Sequence, residues 1–223
     1  MGGNVFVRSG GWSRAGRAIT MVIGAGLLVT GCSQSHIGAA AVVDGDRIEV
    51  STLNHKVTEL ERAFTQENFQ LNGTAARLEA NQAELVQLIR HRVIDEAARR
   101  NGVEATPTRT LEERRELEAR FGGPDALATQ LLQSGILPQD IDVFVRAAVL
   151  KGEIARVRGL DVNAPGSAEA LDGYLASVAD SMRITVNPRY GTWDSSELRT
   201  VADDYSWLAP ETAPEAAGTP AGA

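Results

Sequence analysis

From about residue 51 to residue 183 the apolar positions recur at spacings of three and four, the period of a helix, while short β-prone runs occur only at 40–48 and 184–186. At the first of these, Ala40-Ala41-Val42-Val43 and Arg47-Ile48 flank Asp44-Gly45, a pair that accommodates the positive φ angles of a tight turn, so the pattern predicts a hairpin. A two-stranded hairpin is not stable alone and needs another strand or a helix against it. Ser51 offers a cap for a first helix whose apolar stripe is Leu53, Val57, Leu60 and Phe64. The longest helix is predicted from near Thr74 to Asn101-Gly102, with Leu78, Leu85, Leu88, Ile89, Val93 and Ile94 on its inner side. Thr106-Pro107 then reads as a cap followed by proline at the first helical position, opening a charged helix that ends near Arg120 and lies mostly in solvent.

Gly122-Gly123-Pro124 breaks that helix, and a short one follows with Leu127, Leu131 and Leu132, ended by Gly135. Pro138 begins the next, with Ile141, Phe144, Val145, Ala148, Val149 and Ile154 facing inward. Ser167 offers a cap for the last, which carries Leu171, Leu175, Val178 and Met182. Ile184-Thr185-Val186 is a strand candidate, followed by a turn-rich stretch in which Tyr190 and Trp193 are either exposed or, the more frequent fate of such aromatics, packed on the adjacent helix. The pattern thus predicts a mostly α fold: a compact domain of five to six helices with a small sheet of about three short strands, made from both ends of the domain.

One apolar run falls outside this scheme. Arg8, Arg14 and Arg17, with no acidic residue among them, precede an apolar run from Ala18 to Val29, the order of an export signal. It is shorter than the roughly 20 apolar residues that span a bilayer. Leu27-Leu28-Val29-Thr30-Gly31-Cys32 resembles the bacterial lipobox, with Val29, Thr30 and Gly31 flanking the cleavage point and Cys32 acylated. That resemblance implies a signal at 1–31 and a lipidated tether at 32–39; the hydrophobic pattern and composition then predict a folded domain at 40–208 and a disordered Ala/Pro-rich tail at 209–223 with nothing to bury. The resemblance also implies anchoring to the extracytoplasmic face of the cell membrane, since two acyl chains give lasting attachment.

Composition narrows the chemistry. The chain carries 22 basic and 29 acidic residues, and removing the signal takes away three arginines and no acid, leaving a formal charge near −10. Nucleic acid is therefore not an expected partner. With its single Cys used for lipid, the chain has neither a disulfide nor a thiolate nucleophile. His36, His55 and His91 have no metal-ligand spacing and read as solvated. Asp140 and Asp142 read as first-turn acids complementing a helix dipole. Glu112, Glu113, Glu116 and Glu118, mixed with Arg114, Arg115 and Arg120, read as a solvated face. Asn72-Gly73-Thr74 matches a glycosylation acceptor, which carries little weight on a bacterial lipoprotein. No nucleophile elbow, phosphate loop or acid–base set is found, so no enzyme activity, cofactor or metal is expected.

The hairpin Val42-Val43-Asp44-Gly45-Asp46-Arg47-Ile48, Ser51 opening a helix, the long helix through Leu88-Ile89 and Ala97-Ala98, and the break at Gly102-Val103 together resemble the N-terminal domain of the SurA family. Phe121-Gly122-Gly123, Leu127, Leu132 and the segment from Gly135 to Phe144 are similar to the family's later helices, and Asn187-Pro188-Arg189-Tyr190-Gly191 to its closing strand. The likeness covers about residues 40 to 158 and that strand. SurA and its relative PrsA are extracytoplasmic chaperones, and the resemblance implies a non-enzymatic holdase whose partners are unfolded or partly folded exported proteins. The chain departs from the family in having only residues 159 to 183 where a parvulin prolyl isomerase domain usually stands, and in having Leu137 where a Ser or Thr cap is expected. Leu60, Phe64, Leu85 and Phe144 are the candidate client contacts, should the helices enclose a groove. The alternative is an envelope adaptor that binds one folded partner through the same domain; a residual isomerase is a third and weaker option.

Overall fold

The computed structural model describes residues 38–68, 73–161 and 164–201, with no side-chain account of 73–75. Cys32 and its flank Val29, Thr30 and Gly31, the tether through His36, Asn72, and the tail at 209–223 lie outside the described residues.

The hairpin forms as its turn residues dictate. β1 (Ala39–Val43) and β2 (Asp46–Glu49) pair antiparallel around Asp44 (φ 50°) and Gly45 (φ 97°). The chain enters α1 (Val50–Gln66) with no intervening loop. Ser51 is not its cap: the helix begins one residue earlier, behind Glu49, which makes no side-chain capping bond, and Val50 donates its N–H to the carbonyl of Gly38 at 2.8 Å. A neighbouring segment of backbone has taken the role that a serine hydroxyl commonly plays.

α2 (Gly73–Asn101) is the axis of the molecule. Leu85, Ile89, Val93 and Ala97 recur every fourth residue and are all buried, facing α1, α5 (Ile141–Val157), α6 (Ser167–Ser181) and β1. Leu78 lies two turns before Leu85 on the same stripe yet is 44 % exposed, because the helix begins before the core does; the first buried side chain described on it is Ala80. At the other end Gly102 adopts φ 63° and donates to Arg99 O, while Val103 donates to Ala98 O, the paired bonds of a left-handed helix stop.

Thr106 caps α3 (Pro107–Phe121) as its sequence predicts, accepting from the Arg109 N–H at 3.3 Å with Pro107 at the first helical position. None of its residues is fully buried. α4 (Pro124–Gln133) buries Leu127, Leu131 and Leu132, and a 3₁₀ turn at Pro138–Asp140 leads into α5. Among the described residues, only α6 stands between α5 and β3 (Ile184–Val186). Its cap position is Gly166, not Ser167, whose hydroxyl donates instead to the carbonyl of Asp161.

β3 returns to pair antiparallel with β1, with Val42 opposite Thr185, so that strands from both ends of the domain make one sheet in the order β2-β1-β3. Asp44 and Arg183 exchange bonds, Asp44 N–H to Arg183 O at 3.0 Å and Arg183 N–H to Asp44 Oδ1 at 2.9 Å. Asn187 secures the other end, its N–H donating to Ala40 O and its amide to Ala39 O. Beyond it Tyr190 is buried, and a two-stranded ribbon forms from β4 (Thr192–Asp194) and β5 (Arg199–Val201), elements the hydrophobic pattern does not predict. Gly191 (φ 96°) is essential to this corner, since a Cβ there would stand 2.3 Å from Val201 O.

The core divides unequally. A main cluster joins the sheet, α1, α2, the later turns of α5, α6 and Tyr190. Two satellites flank it: Leu127, Leu131, Ile141 and Val145 with Leu117 and Phe144 packed on them, and Leu60, Leu132 and Leu137 with Ala63 and Phe64.

Candidate functional site

Helical spacing brings three polar faces together where α1, α2 and the start of α5 meet. On α1, Lys56 borders the buried stripe of Leu53, Val57 and Leu60. On α2, Glu84, Gln87, Leu88 and His91 lie at i, i+3, i+4 and i+7, on one face. Asp140, Val143 and Phe144 follow the same rule at the start of α5, and Gly135-Ile136 closes the end beside α4. These residues line a cavity of about 230 Å³, with an apolar side of Leu88, Ile136, Val143 and Phe144 facing an ionic side.

Lys56 sits between two carboxylates on the ionic side. Its Nζ donates to Asp140 Oδ2 at 2.6 Å and stands 3.7 Å from Glu84 Oε1, within ion-pair range but longer than a hydrogen bond. The side chain of Glu84 is only 12 % exposed. Burial pushes its carboxyl above the usual range, against the pull of Lys56, and Asp140 pushes the same way as burial. Burial also pushes His91 below the usual imidazole value, although Asp95 and Asp140 oppose it, so His91 is half-buried in a cavity wall and neutral at ordinary pH rather than solvated. Asp140, expected only to complement a helix dipole, is half of the closest ion pair in the cavity.

Val143 is shared with a second, wider groove between α3 and α5, about 620 Å³, lined by Ala105, Pro107, Thr110, Leu111, Arg114, Asp142 and Arg146 as well. Leu111 is 48 % and Val143 46 % exposed, the apolar side chains that the groove offers to solvent. Its charges are closed among themselves: Arg114 with Asp142 and, at 2.8 Å, with Glu118, and Arg146 with Asp95 at 2.7 Å. The cavity and the groove share Val143 on the first turn of α5, and the two together are the cleft.

The four candidate contacts separate. Leu85 is sealed in the main core and Leu60 is buried with Leu132 and Leu137, so neither reaches a ligand; both serve packing because the stripe of Leu85 faces α1, α5, α6 and β1 and Leu60 faces the end of α4. Phe64 is half-buried beside Leu60, away from the cleft lining, and Phe144 alone lines the cavity. Lys56, Glu84 and His91 went unforeseen. The signals were faint: Lys56 is one of two lysines against twenty arginines, and positions 84, 88 and 91 share a helix face.

This arrangement sets an apolar wall beside one ammonium group and the two carboxylates next to it. Among the described residues no group of three or more His, Cys, Asp or Glu is placed to hold a metal ion, and no helix is long and apolar enough to cross a membrane. His55 lies on the outer side of α1, 3.3 Å from Glu59. Comparison with protein-family models, with curated proteins and with solved structures finds no match to this chain.

Proposed function

We propose that the protein is a membrane-anchored lipoprotein on the extracytoplasmic face, a non-enzymatic holdase for unfolded or partly folded exported proteins. The observation that carries this reading is the cleft across α5: Leu111 and Val143 exposed beside an open cavity walled by Leu88, Ile136 and Phe144. Contiguous exposed apolar surface in a concave site marks interaction rather than ordinary surface. Because the groove's charges are paired with one another, contact there depends on apolar area more than on a particular charge pattern, which suits many clients.

Two sequence features support the setting. Cys32 with Val29, Thr30 and Gly31 would supply the lipid anchor, and the order of helices with a closing strand resembles that of the SurA N-terminal domain. The single helix α6 between α5 and β3 leaves no segment for an isomerase domain, so holding is proposed without proline isomerisation.

The test is suppression of aggregation of a denatured model protein by the acylated full chain, compared with a Leu111→Glu/Val143→Glu variant. Both positions are exposed, so the variant keeps its core. Suppression by the wild type that the variant loses is expected; no suppression by the wild type at several-fold excess would remove the holdase. Photo-crosslinking from Phe144 that captures one folded envelope protein, instead of many unrelated chains, would replace it with the adaptor.

A further inference from the structure

The ionic side of the cavity is one cation short. Lys56 is the only positive charge that α1 contributes, and it gives its short bond to Asp140. From α2 come Glu84 and His91, the latter held neutral by burial. The start of α5 contributes Asp140, and the end of α4 contributes Gly135 and Ile136, which carry no charge. Asp95 and Arg146, the next charges outward, satisfy each other. Among the described residues, Glu84 is therefore a largely buried carboxylate with no hydrogen-bond donor closer than the 3.7 Å to Lys56.

We infer that the cavity seats a lysine or arginine side chain flanked by apolar residues, its stem against Leu88, Ile136 and Phe144 and its charged head on Glu84. The proposal rests on the holdase reading of the cleft and names the part of a client that enters deepest. Long cationic side chains bury their methylenes along apolar walls while the head reaches a polar partner, which matches a cavity apolar on one side and anionic on the other. The space suffices: a cavity of roughly 150 Å³ accepts benzene, and this one is about 230 Å³. A wholly apolar occupant would cover Glu84 without giving it a donor, which is costly. An anionic occupant would meet Glu84 and Asp140 together.

Charge complementarity also sets a pH dependence. The cation binds the ionised Glu84, so affinity rises as pH climbs through the raised pKa of that carboxyl, and Lys56 and Asp140 modulate the value. Protonation of His91 at low pH adds a competing cation and acts in the same direction.

The experiment uses the full chain and fluorescent peptides of one apolar sequence with lysine, glutamine or glutamate at the centre, read by anisotropy. The lysine peptide is expected to bind about tenfold tighter than the glutamine peptide, the size of one charge-assisted hydrogen bond. Glu84→Gln should erase that preference, and Asp180→Asn on α6 should leave it in place, which separates the local effect from overall charge. Because the peptide series is read on the unaltered protein, the result does not depend on how Glu84→Gln folds. Equal binding of the lysine and glutamine peptides overturns this inference and leaves the holdase standing. Failure of the wild type to suppress aggregation overturns the holdase itself.

Discussion

The two flanks of α2 are packed differently. On the side of β1, α6 and Tyr190, every fourth residue from Leu85 to Ala97 is enclosed, and strands from both ends of the domain close over the same cluster. On the other side, α3 has no fully buried residue, and α4 with the first turns of α5 relies on satellites of four and three buried side chains. α5 belongs to both regions: Leu150, Ile154 and Ala155 sit in the main core, Ile141 and Val145 in a satellite. Burial scales with stabilisation, so the first region supplies the rigidity, and the second can leave Leu111 and Val143 exposed beside a cavity. The proposed ligand surface lies where the packing is thin.

The largest effect that would break this contrast is truncation in the two cores. Leu85→Ala should cost about 3–5 kcal/mol and Leu131→Ala about 2–3 kcal/mol, measured as shifts in urea unfolding midpoint. Equal losses would show the satellite to be as consequential as the main core. Next is Gly191→Ala at the corner that joins the closing strand to its ribbon. Its positive φ and the clash with Val201 O should cost about 1–3 kcal/mol, and the near-ultraviolet signal of the adjacent Trp193 should change with it.

Thr106→Ala removes the cap of α3 and should cost about 1 kcal/mol. Hydrogen exchange should place the change in residues 107–121 and spare residues 85–97, because a thinly packed helix opens without the core. Exchange rising equally in both segments would mean that the two regions unfold as one.

The pH dependence sharpens the contrast inside the cleft. Glu84 is shifted up, so its contribution to stability is full below the ordinary carboxylate value and is lost as pH rises through its raised pKa. His91 is shifted down, so its contribution is present above the ordinary imidazole value and is lost as pH falls through its lowered pKa. Relative to Glu84→Gln, the wild type should therefore lose stability as pH rises from the ordinary carboxylate value through the raised pKa of Glu84, read as the difference in thermal midpoints. A constant difference would show that Glu84 is not desolvated.

The smallest effect belongs to the groove's outer pair. Asp95 and Arg146 are both about half exposed, and a double-mutant cycle should give about 0.2–1 kcal/mol of coupling. Added salt should diminish it further.

Much of the fold was legible where local chemistry is decisive. Asp44-Gly45 forms the turn, Thr106-Pro107 starts α3, Gly102 and Gly135 end their helices, and Ile184–Val186 completes the sheet. Ser51 and Ser167 were misread as caps because a cap depends on which backbone groups already have partners. Gly38 serves α1, and Gly166 in the left-handed region precedes α6. β4 and β5 are three residues each, and the turn between them places Leu198 at φ 50° without a glycine to announce it. Of the cavity lining, the sequence singles out only Phe144 as a contact; it reads Leu88 as core, His91 as solvated and Asp140 as a helix-dipole acid. Lys56 and Asp140 are 84 residues apart, and no periodicity links residues on different helices.

The sequence by itself determined the helices, the hairpin, the charged character of α3 and the apolar stripes, because each depends on neighbours within a few residues. Only the tertiary structure decided that Leu60 and Leu85 are core, that His91 faces a cavity, and that Lys56 is shared between Asp140 and Glu84. The physical reason is that helices choose their partners by burying whole stripes. The polar residues at the edges of those stripes then meet as a consequence of the packing, and the charge balance of the cleft follows from that meeting.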